Sequence, residues 1–255
     1  MIDARSDLPG VEVTQMDKAI KLLRKAKRVA VLTGAGISAE SGLATFRGAG
    51  GLWEGQRVED VATPRAFARD PSLVWRFYNL RRANLGEVQP NPGHHALVAL
   101  EKRLGADGFT LITQNVDGLH QAAGSRRVLE IHGALRRVRC TGCAKIADRG
   151  TQPLGELPRC ACGELLRPDV VWFEESLPYE IWFAAEEAVR YCDCFLVVGT
   201  SAIVYPAAGL VLQARENDAA VIEVNLTATD ASRHADVCLH GPSGQILPEL
   251  VERSG

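Results

Sequence analysis

No stretch of the sequence approaches the roughly 20 consecutive apolar residues that a membrane-spanning helix needs. No excess of charge of one sign is present either. Lys plus Arg number 29 against 31 Asp plus Glu, a formal net charge of -2, so there is no electrostatic case for a general nucleic-acid binder. No internal repeat or low-complexity tract stands out. The first ten residues carry Asp3, Arg5 and Asp7 but no apolar signal core, and they are expected to form a short tail of a cytoplasmic protein, with no membrane partner. What is present is 255 residues of 46% hydrophobic content, enough for one sizeable core, or for one large domain with a small satellite. A monomer is expected.

Seven cysteines make an odd count, and four fall in two close pairs, Cys140/Cys143 and Cys160/Cys162. In a chain without a secretion signal, such pairs favour a metal over disulfides. Zinc takes four thiolates tetrahedrally, and a closed four-sulfur site leaves no position for a substrate, so one structural zinc per chain is expected. C-x-x-C is a familiar knuckle and C-x-C a tighter, less usual one. The alternative is four free buried thiols. Cys192, Cys194 and Cys238 lie in apolar stretches and read as core residues.

Residues 15–27 read as an amphipathic helix. Val29-Ala30-Val31-Leu32 is a short apolar run that breaks at Thr33-Gly34, as a buried strand does on entering a turn. Similar runs recur at 109–112, 128–131, 195–198 and 220–224, with helical stretches at 94–104, 181–191 and 206–215. This alternation predicts an α/β fold, a Rossmann-like doubly wound parallel sheet covered on both faces. Residues 53–85 read as helical and charged, without a strand. Residues 139–168 are rich in Cys, Gly and Pro. These two segments are expected to build a smaller helical plus zinc-binding domain formed by insertions. The resulting division is 1–50, 93–135 and 169–255 for the large domain, 51–92 and 136–168 for the small one.

Gly34-Ala35-Gly36-Ile37-Ser38-Ala39 matches the dinucleotide fingerprint G-x-G-x-x-A. Its first glycine permits a tight turn, its second a close backbone approach to a pyrophosphate, and its third small residue close packing of helix on sheet. The following helix would aim its N-terminal amides at the phosphates. A tight strand-to-helix turn with no ligand is the bland alternative. The sequence then departs from an ordinary dehydrogenase. Ser41-Gly42-Leu43-Ala44-Thr45-Phe46-Arg47-Gly48 replaces a regular helix, and no acidic residue ends a second strand. Asn225, after Val221-Ile222-Glu223-Val224, is the better candidate for a ribose contact.

Together these motifs resemble the sirtuin family. Gly34-Ala35-Gly36-Ile37-Ser38 with Gly42 and Phe46-Arg47 looks like its opening signature. Thr113-Gln114-Asn115-Val116-Asp117-Gly118-Leu119-His120 looks like its second and Ile131-His132-Gly133 like its third. Gly199-Thr200-Ser201 and Val224-Asn225 fit its later NAD-contacting stretches. The resemblance runs from about residue 18 to residue 251. It implies an NAD-dependent protein-lysine deacylase that consumes NAD as co-substrate. The acyl-lysine carbonyl oxygen attacks the anomeric carbon of the nicotinamide ribose, and nicotinamide leaves. His132 takes a proton from a ribose hydroxyl, directly or by relay, and the acyl group ends on ADP-ribose. Neutral-range imidazole suits that task.

The same resemblance implies that Asn115 and Asp117 act in the nicotinamide pocket, Asn115 on a water or ribose hydroxyl and Asp117 on the carboxamide N–H donors. It puts Ala35, Ala39, Trp53, Gln114, Val116, Leu226, Thr227 and Ser243 along the cofactor. It has Phe46 shielding the reacting carbon and Arg47 meeting the phosphates. Taken alone, the Asn115/Asp117 motif reads equally as a turn at a strand end. His132 alone reads as structural, Phe46 as a core aromatic and Arg47 as a solvated charge.

Tyr78 and Arg81 are three apart, and at helical spacing they share a face. An Arg fork pairs bidentately with a carboxylate, to which a phenol can add a hydrogen bond. This Tyr-x-x-Arg segment resembles that of the bacterial class III deacylases, which implies removal of succinyl, malonyl or glutaryl groups besides acetyl. An exposed helix face with one aromatic anchor is the alternative. Val171, Trp172 and Phe173 resemble the edge where an extended acyl-lysine protein or peptide adds a strand, with Glu174 where the family usually has glycine. Three other functions compete with the deacylase reading. They are an ADP-ribosyltransferase or NAD glycohydrolase on the same scaffold, a non-catalytic NAD-sensing module, and a plain oxidoreductase.

Overall fold

The computed structural model describes residues 13–44, 52–53 and 56–255. Six parallel strands form the main sheet: β1 (Val29–Thr33), β4 (Phe109–Thr113), β5 (Val128–Glu130), β9 (Cys194–Val198), β10 (Ala220–Asn225) and β11 (Val237–His240), in the order β11-β10-β9-β1-β4-β5. The chain therefore starts in the middle and winds out to one edge, then restarts next to β1 and winds out to the other. The strand order reverses between β1 and β9, and ligands of open α/β sheets bind outside the carboxyl ends of the strands at such a point.

Alternate residues of each strand point to opposite faces. Val29, Val31, Phe109, Leu111, Leu196, Ile222 and Leu239 go to one face, under α1 (Val13–Lys25), α5 (Pro92–Gly108) and α9 (Ser243–Arg253). Ala30, Leu32, Ile112, Phe195, Val197 and Val221 go to the other, under α7 (Tyr179–Arg190) and α8 (Gly209–Glu216). Burial on both faces is why these strands read as unbroken apolar runs. Helix α1 earns its place through Met16, Ala19, Ile20 and Leu23, one stripe at helical spacing. The edge strand β11 and helix α9 were not anticipated from the sequence.

Smaller elements pack beside this sheet around a separate core that includes Phe67, Trp75, Tyr78, Leu135, Val138, Leu166 and Trp172. They are α2 (Val58–Val61), α3 (Pro64–Arg69), α4 (Pro71–Gly86) and an antiparallel sheet of β6 (Gly133–Cys140), β7 (Ile146–Asp148) and β8 (Leu166–Val170) in the order β7-β6-β8. Helices α3 and α4 start on capping residues, Thr63 and Asp70, each followed by proline in the first turn, where its missing N–H costs nothing. The Trp75 indole donates to Leu166 O at 2.9 Å and ties α4 to β8. One expectation fails here. The 53–85 region holds a strand pair, β2 (Leu52–Trp53) with β3 (Gln56–Arg57), because the chain doubles back before its first helix.

The glycine turn after β1 departs from an ordinary dehydrogenase earlier in the chain than the sequence marks. Residues Ala35–Ser41 form a 3-10 helix rather than a regular α-helix, and Gly34 has an ordinary extended backbone, φ -127°. Its glycines are required by space. Gly36 N donates to Gly199 O at 2.7 Å, and Gly34 N to Val198 O at 3.0 Å. A Cβ on Gly36 would sit 2.7 Å from both Cα and O of Gly199, backbone atoms that cannot rotate away. Overpacking of this kind costs about 1–3 kcal/mol even where side chains can move. Gly36→Ala is therefore expected to lower the urea midpoint by an amount equivalent to about 3 kcal/mol or more. An unchanged midpoint would show that the two turns separate freely.

Candidate functional site

The turns after β1, β4, β5 and β9 converge at the carboxyl ends of the strands. Gln114 joins three of them. Its amide N donates to Thr33 O at 3.0 Å, its side chain donates to Thr200 Oγ1 at 2.8 Å, and its carbonyl faces His132 Nδ1 at 3.1 Å. That last contact fixes the tautomer. A carbonyl only accepts, so Nδ1 carries the proton and Nε2 keeps its lone pair. Burial pushes the His132 pKa below its ordinary value, against the opposing pull of the Gln114 carbonyl. His132 stands at the junction of the two sheets, between β5 and β6, and its own carbonyl accepts from Val171 N at 2.9 Å. Gly133 next to it has φ 80°, and a Cβ there would overlap Asp169 O.

Asn115 is buried and donates to Gly34 O at 3.1 Å and to Ser38 Oγ at 3.3 Å. Both side-chain protons are thus spent, and its carbonyl oxygen is what it offers a ligand. The Ser38 hydroxyl donates to Asp117 Oδ2 at 2.8 Å, and Leu119 N donates to Asp117 Oδ1 at 2.9 Å. Burial raises the Asp117 pKa, opposed by these two bonds and by the charge of Arg81. Val116 packs behind them, its carbonyl accepting from Leu135 N at 2.8 Å.

A small pocket lies across the switch point, lined by Gly36, Ala39, Glu40, Gly199, Asn225, Leu226 and Ser243 among others. Asn225 Nδ2 donates to Thr200 O at 2.8 Å. Ser243 opens α9 beside Glu40, whose carboxylate accepts from Gly244 N at 2.8 Å. Ala35 begins the 3-10 turn, and Ser201 follows Thr200 at the same strand end. Thr227 is exposed and makes no hydrogen bond among the described residues. Phe46 and Arg47 lie outside the described residues, as does the side chain of Trp53.

Tyr78 is fully buried, and its hydroxyl oxygen accepts from Trp172 Nε1 at 2.9 Å, leaving its proton to donate. Burial raises the Tyr78 pKa, so the phenol stays protonated. The Arg81 guanidinium carbon is 5.9 Å from the Tyr78 ring centre and 5.7 Å from that of Phe77. Its charge reaches both Tyr78 and Asp117. Residues 171–173 run into a turn. Their three amides are already engaged, by His132 O, by Glu175 Oε2 and by Ala62 O. Trp172 is buried against Phe67 and Tyr78, while Phe173 is largely exposed. Glu174 has φ 75°, a left-handed backbone that favours glycine, and its carboxylate pairs with Arg65.

Several residues of this site escaped the sequence reading. His94 caps its own helix through Asn91 and faces Ser38 Oγ at 3.4 Å, while Asn91 Nδ2 holds Ile37 O at 2.7 Å. The Asn-Pro start of α5 was a legible cap signal, but its contact with the glycine turn was not. Arg82, one residue past the pair of interest, is buried and donates to the carbonyls of Leu135, Arg149, Gly150 and Gln152.

The four thiols of Cys140, Cys143, Cys160 and Cys162 lie within 4.8 Å of one another. The closest pairs are 3.4 Å (Cys140 and Cys162) and 3.7 Å (Cys143 and Cys160). These are far from the roughly 2.05 Å of a disulfide and close to the sulfur separations of about 3.8 Å in a tetrahedron of Zn–S bonds. The amides of Gly142 and Cys143 both donate to Cys140 Sγ at 3.4 Å. The donor set fits zinc.

A glycine-packed crevice at the switch point of a doubly wound sheet, with a four-thiolate module beside it, defines a dinucleotide-binding protein carrying a structural metal. The Sir2 family profile matches residues 34–206, and the chain belongs to that family. An "NAD-dependent protein deacylase 2" of Pyrobaculum aerophilum is 51% identical over 233 residues, 91% of this chain and 92% of that protein. The "NAD-dependent protein deacylase sirtuin-5, mitochondrial" of Danio rerio is 45% identical over 255 residues, 90% of this chain and 84% of that one. A crystal structure of a Sir2 homologue with NAD superposes with a TM-score of 0.87 at 44% identity, covering 93% of each chain. NAD is thus the co-substrate that the crevice fits, and the cysteine cluster is consistent with one structural zinc.

Cys143→Ser is expected to take tightly held zinc from one ion per chain to none after washing with a mild chelator. It should also lose about 4 kcal/mol or more of stability, the scale of a lost metal site, seen as a Tm lowered by roughly 8 °C or more. Full zinc retention would remove the assignment.

Proposed function

We propose that this chain is an NAD-dependent protein-lysine deacylase that prefers acidic acyl groups, succinyl, malonyl or glutaryl, and also removes acetyl. One observation carries the reading. The His132 tautomer set by Gln114 leaves an Nε2 lone pair at the same strand ends that carry the buried Asp117 carboxyl and the Asn115 carbonyl oxygen. Bound NAD supplies an electrophilic ribose carbon and a leaving nicotinamide. In this reading Gly34, Ala35, Gly36, Ala39, Gln114, Val116, Gly199, Thr200, Ser201, Asn225, Leu226, Thr227 and Ser243, with Phe46, Arg47 and Trp53, line the cofactor. Asn115 and Asp117 hold the nicotinamide end, and Ser38 keeps Asp117 in place. His132 takes the ribose hydroxyl proton.

The acidic-acyl preference draws support from a protonated phenol and a guanidinium at one helical spacing, with the guanidinium charge reaching Asp117. Residues Val171, Trp172 and Phe173 would receive the peptide. With their amides spent, the substrate main chain must be the donor there. Sir2Af2 bound to a myristoylated histone peptide, 38% identical with a TM-score of 0.77, supports an acylated peptide as partner. The division into domains at 1–50, 93–135 and 169–255 against 51–92 and 136–168 belongs to the same reading, and the separate buried cores support it. So does a monomer acting in the cytoplasm without nucleic acid, consistent with the near-neutral charge. No described helix is long and apolar enough to cross a membrane.

Incubating one peptide bearing different lysine acyl groups with NAD, and following products by mass spectrometry, tests the activity. Free lysine peptide and acyl-ADP-ribose are expected together. Nicotinamide released without acyl-ADP-ribose would instead indicate a glycohydrolase or an ADP-ribosyltransferase.

His132→Ala is expected to abolish turnover of every acyl peptide while Tm stays within a few degrees. Because burial lowers its pKa, the imidazole stays neutral below its ordinary value of about 6.5. The acid limb of kcat/KM should therefore lie below that pH, and a limb well above it would point to another base. Arg81→Met removes a charge-assisted fork of about 1.5–3 kcal/mol, so desuccinylation should fall roughly 10- to 100-fold with deacetylation nearly unchanged. Equal losses in the two reactions would mean that Arg81 reads no carboxylate.

A further inference from the structure

Cys238 departs from the core role expected of it. It is only half buried, and it points to the face of β11 shared by His240. Strand β10 lies alongside, with Glu223 opposite Cys238 and Asn225 opposite His240. Val237 and Leu239 face the hydrophobic core, so Cys238 and His240 are turned the other way, toward Glu223. One ligand atom from each of Glu223, Cys238 and His240 lies within 4.8 Å of the other two.

Two further features of the cluster are unusual for a plain sheet edge. Glu223 is fully buried, and among the described residues no Lys, Arg or His forms an ion pair with it. Buried charges ordinarily pair with another charge or bind a metal. The hydroxyls of Thr229 and Ser232 donate one to each Glu223 oxygen. A carboxylate has about four acceptor sites, so this leaves lone pairs on both oxygens. His240 Nε2 is buried and has no hydrogen-bond partner. A buried nitrogen without a partner normally costs about 1–3 kcal/mol, and coordination to a metal is one way to satisfy it.

We propose that Glu223, Cys238 and His240 form a second zinc site, separate from the four-cysteine module. Thiolate, imidazole and carboxylate together suit zinc, whereas a thiolate disfavours magnesium and calcium. Zinc bonds of about 2.0–2.3 Å place ligand atoms roughly 3.3–3.8 Å apart, so a spread within 4.8 Å closes by side-chain movement of the order of an ångström. The Cys238 thiol releases its proton to solvent as sulfur binds. Three protein ligands leave the fourth position to water, so this ion is held less tightly than the one in the closed four-thiolate site. The hydroxyls of Thr229 and Ser232 hold the Glu223 carboxylate in place, and Asn225 of the dinucleotide crevice is two residues along the same strand face.

The test begins with the folded protein, washed with a mild chelator so that one zinc per chain remains. Zinc chloride is then titrated in, and bound metal is counted after desalting. The wild-type protein is expected to take up one further ion, and Cys238→Ala and His240→Gln to take up none. Iodoacetamide labelling of Cys238, read on its peptide by mass spectrometry, should slow by roughly tenfold or more with added zinc, because a metal-bound thiolate is a poor nucleophile. A wild-type protein that stays at one zinc, variants that bind the second ion as well as it does, or labelling indifferent to zinc would each overturn the site.

Discussion

Two stretches of backbone meet at the switch point of the sheet with no side chain between them. Gly36 and Gly199 touch through main-chain atoms, and each excludes a Cβ on the other. This contact sets the spacing between β1 and β9 at their carboxyl ends, and hence the width of the crevice. Three polar side chains tie neighbouring turns to it. Gln114 reaches Thr200 across it, while Asn115 ties the turn after β4 to Gly34 and Asn225 ties β10 to the Thr200 carbonyl. The two glycines are thus needed for packing first, whatever close approach they also allow a phosphate.

The second organising feature is the seam between the two sheets. His132 sits where β5 of the parallel sheet gives way to β6 of the small one, and it is held from both sides: its ring by Gln114 and its carbonyl by Val171. Arg137 and Arg139 brace the seam through the buried Asp169, with Arg137 also reaching Glu130 at the end of β5. On the far side, Arg167 lies over the Trp172 ring at 3.5 Å and pairs with Glu175, which in turn holds the Trp172 amide. Trp172 then orients the Tyr78 hydroxyl. The Tyr78 hydroxyl is thus oriented by this chain of contacts from β8 and the turn after it, and not by its own helix alone.

Much of the site could be read from the chain. Five of the six parallel strands were legible as apolar runs bounded by turn signals, because a strand buried on both faces has few polar positions to interrupt it, whereas their order in the sheet was not. The cysteine spacing pointed to a metal, since close pairs of thiols hold a tetrahedral ion without needing any long-range information. The motifs around Gly34, Asn115 and His132 were legible as a family signature, and the fold brings them to one edge of one sheet. The Asn91-Pro92 cap of α5 was not read from the chain, and its local signal could have marked only a helix start.

What the chain alone determined is local: which segments are strands and helices, where the turns fall, and which residues carry nucleophilic, basic or metal-binding atoms. Tertiary structure decided which of these meet. It showed that Gly36 is fixed by a partner 163 residues away, since 199 − 36 = 163. It showed that the Arg82 side chain is spent on backbone carbonyls while Arg81 next to it lies over the Phe77 and Tyr78 rings, and that Cys238 lies against a buried carboxylate rather than in the core. Sequence spacing fixes the direction of a side chain relative to its own element. What that side chain touches depends on how distant elements pack, and the burial of apolar faces settles this for the chain as a whole.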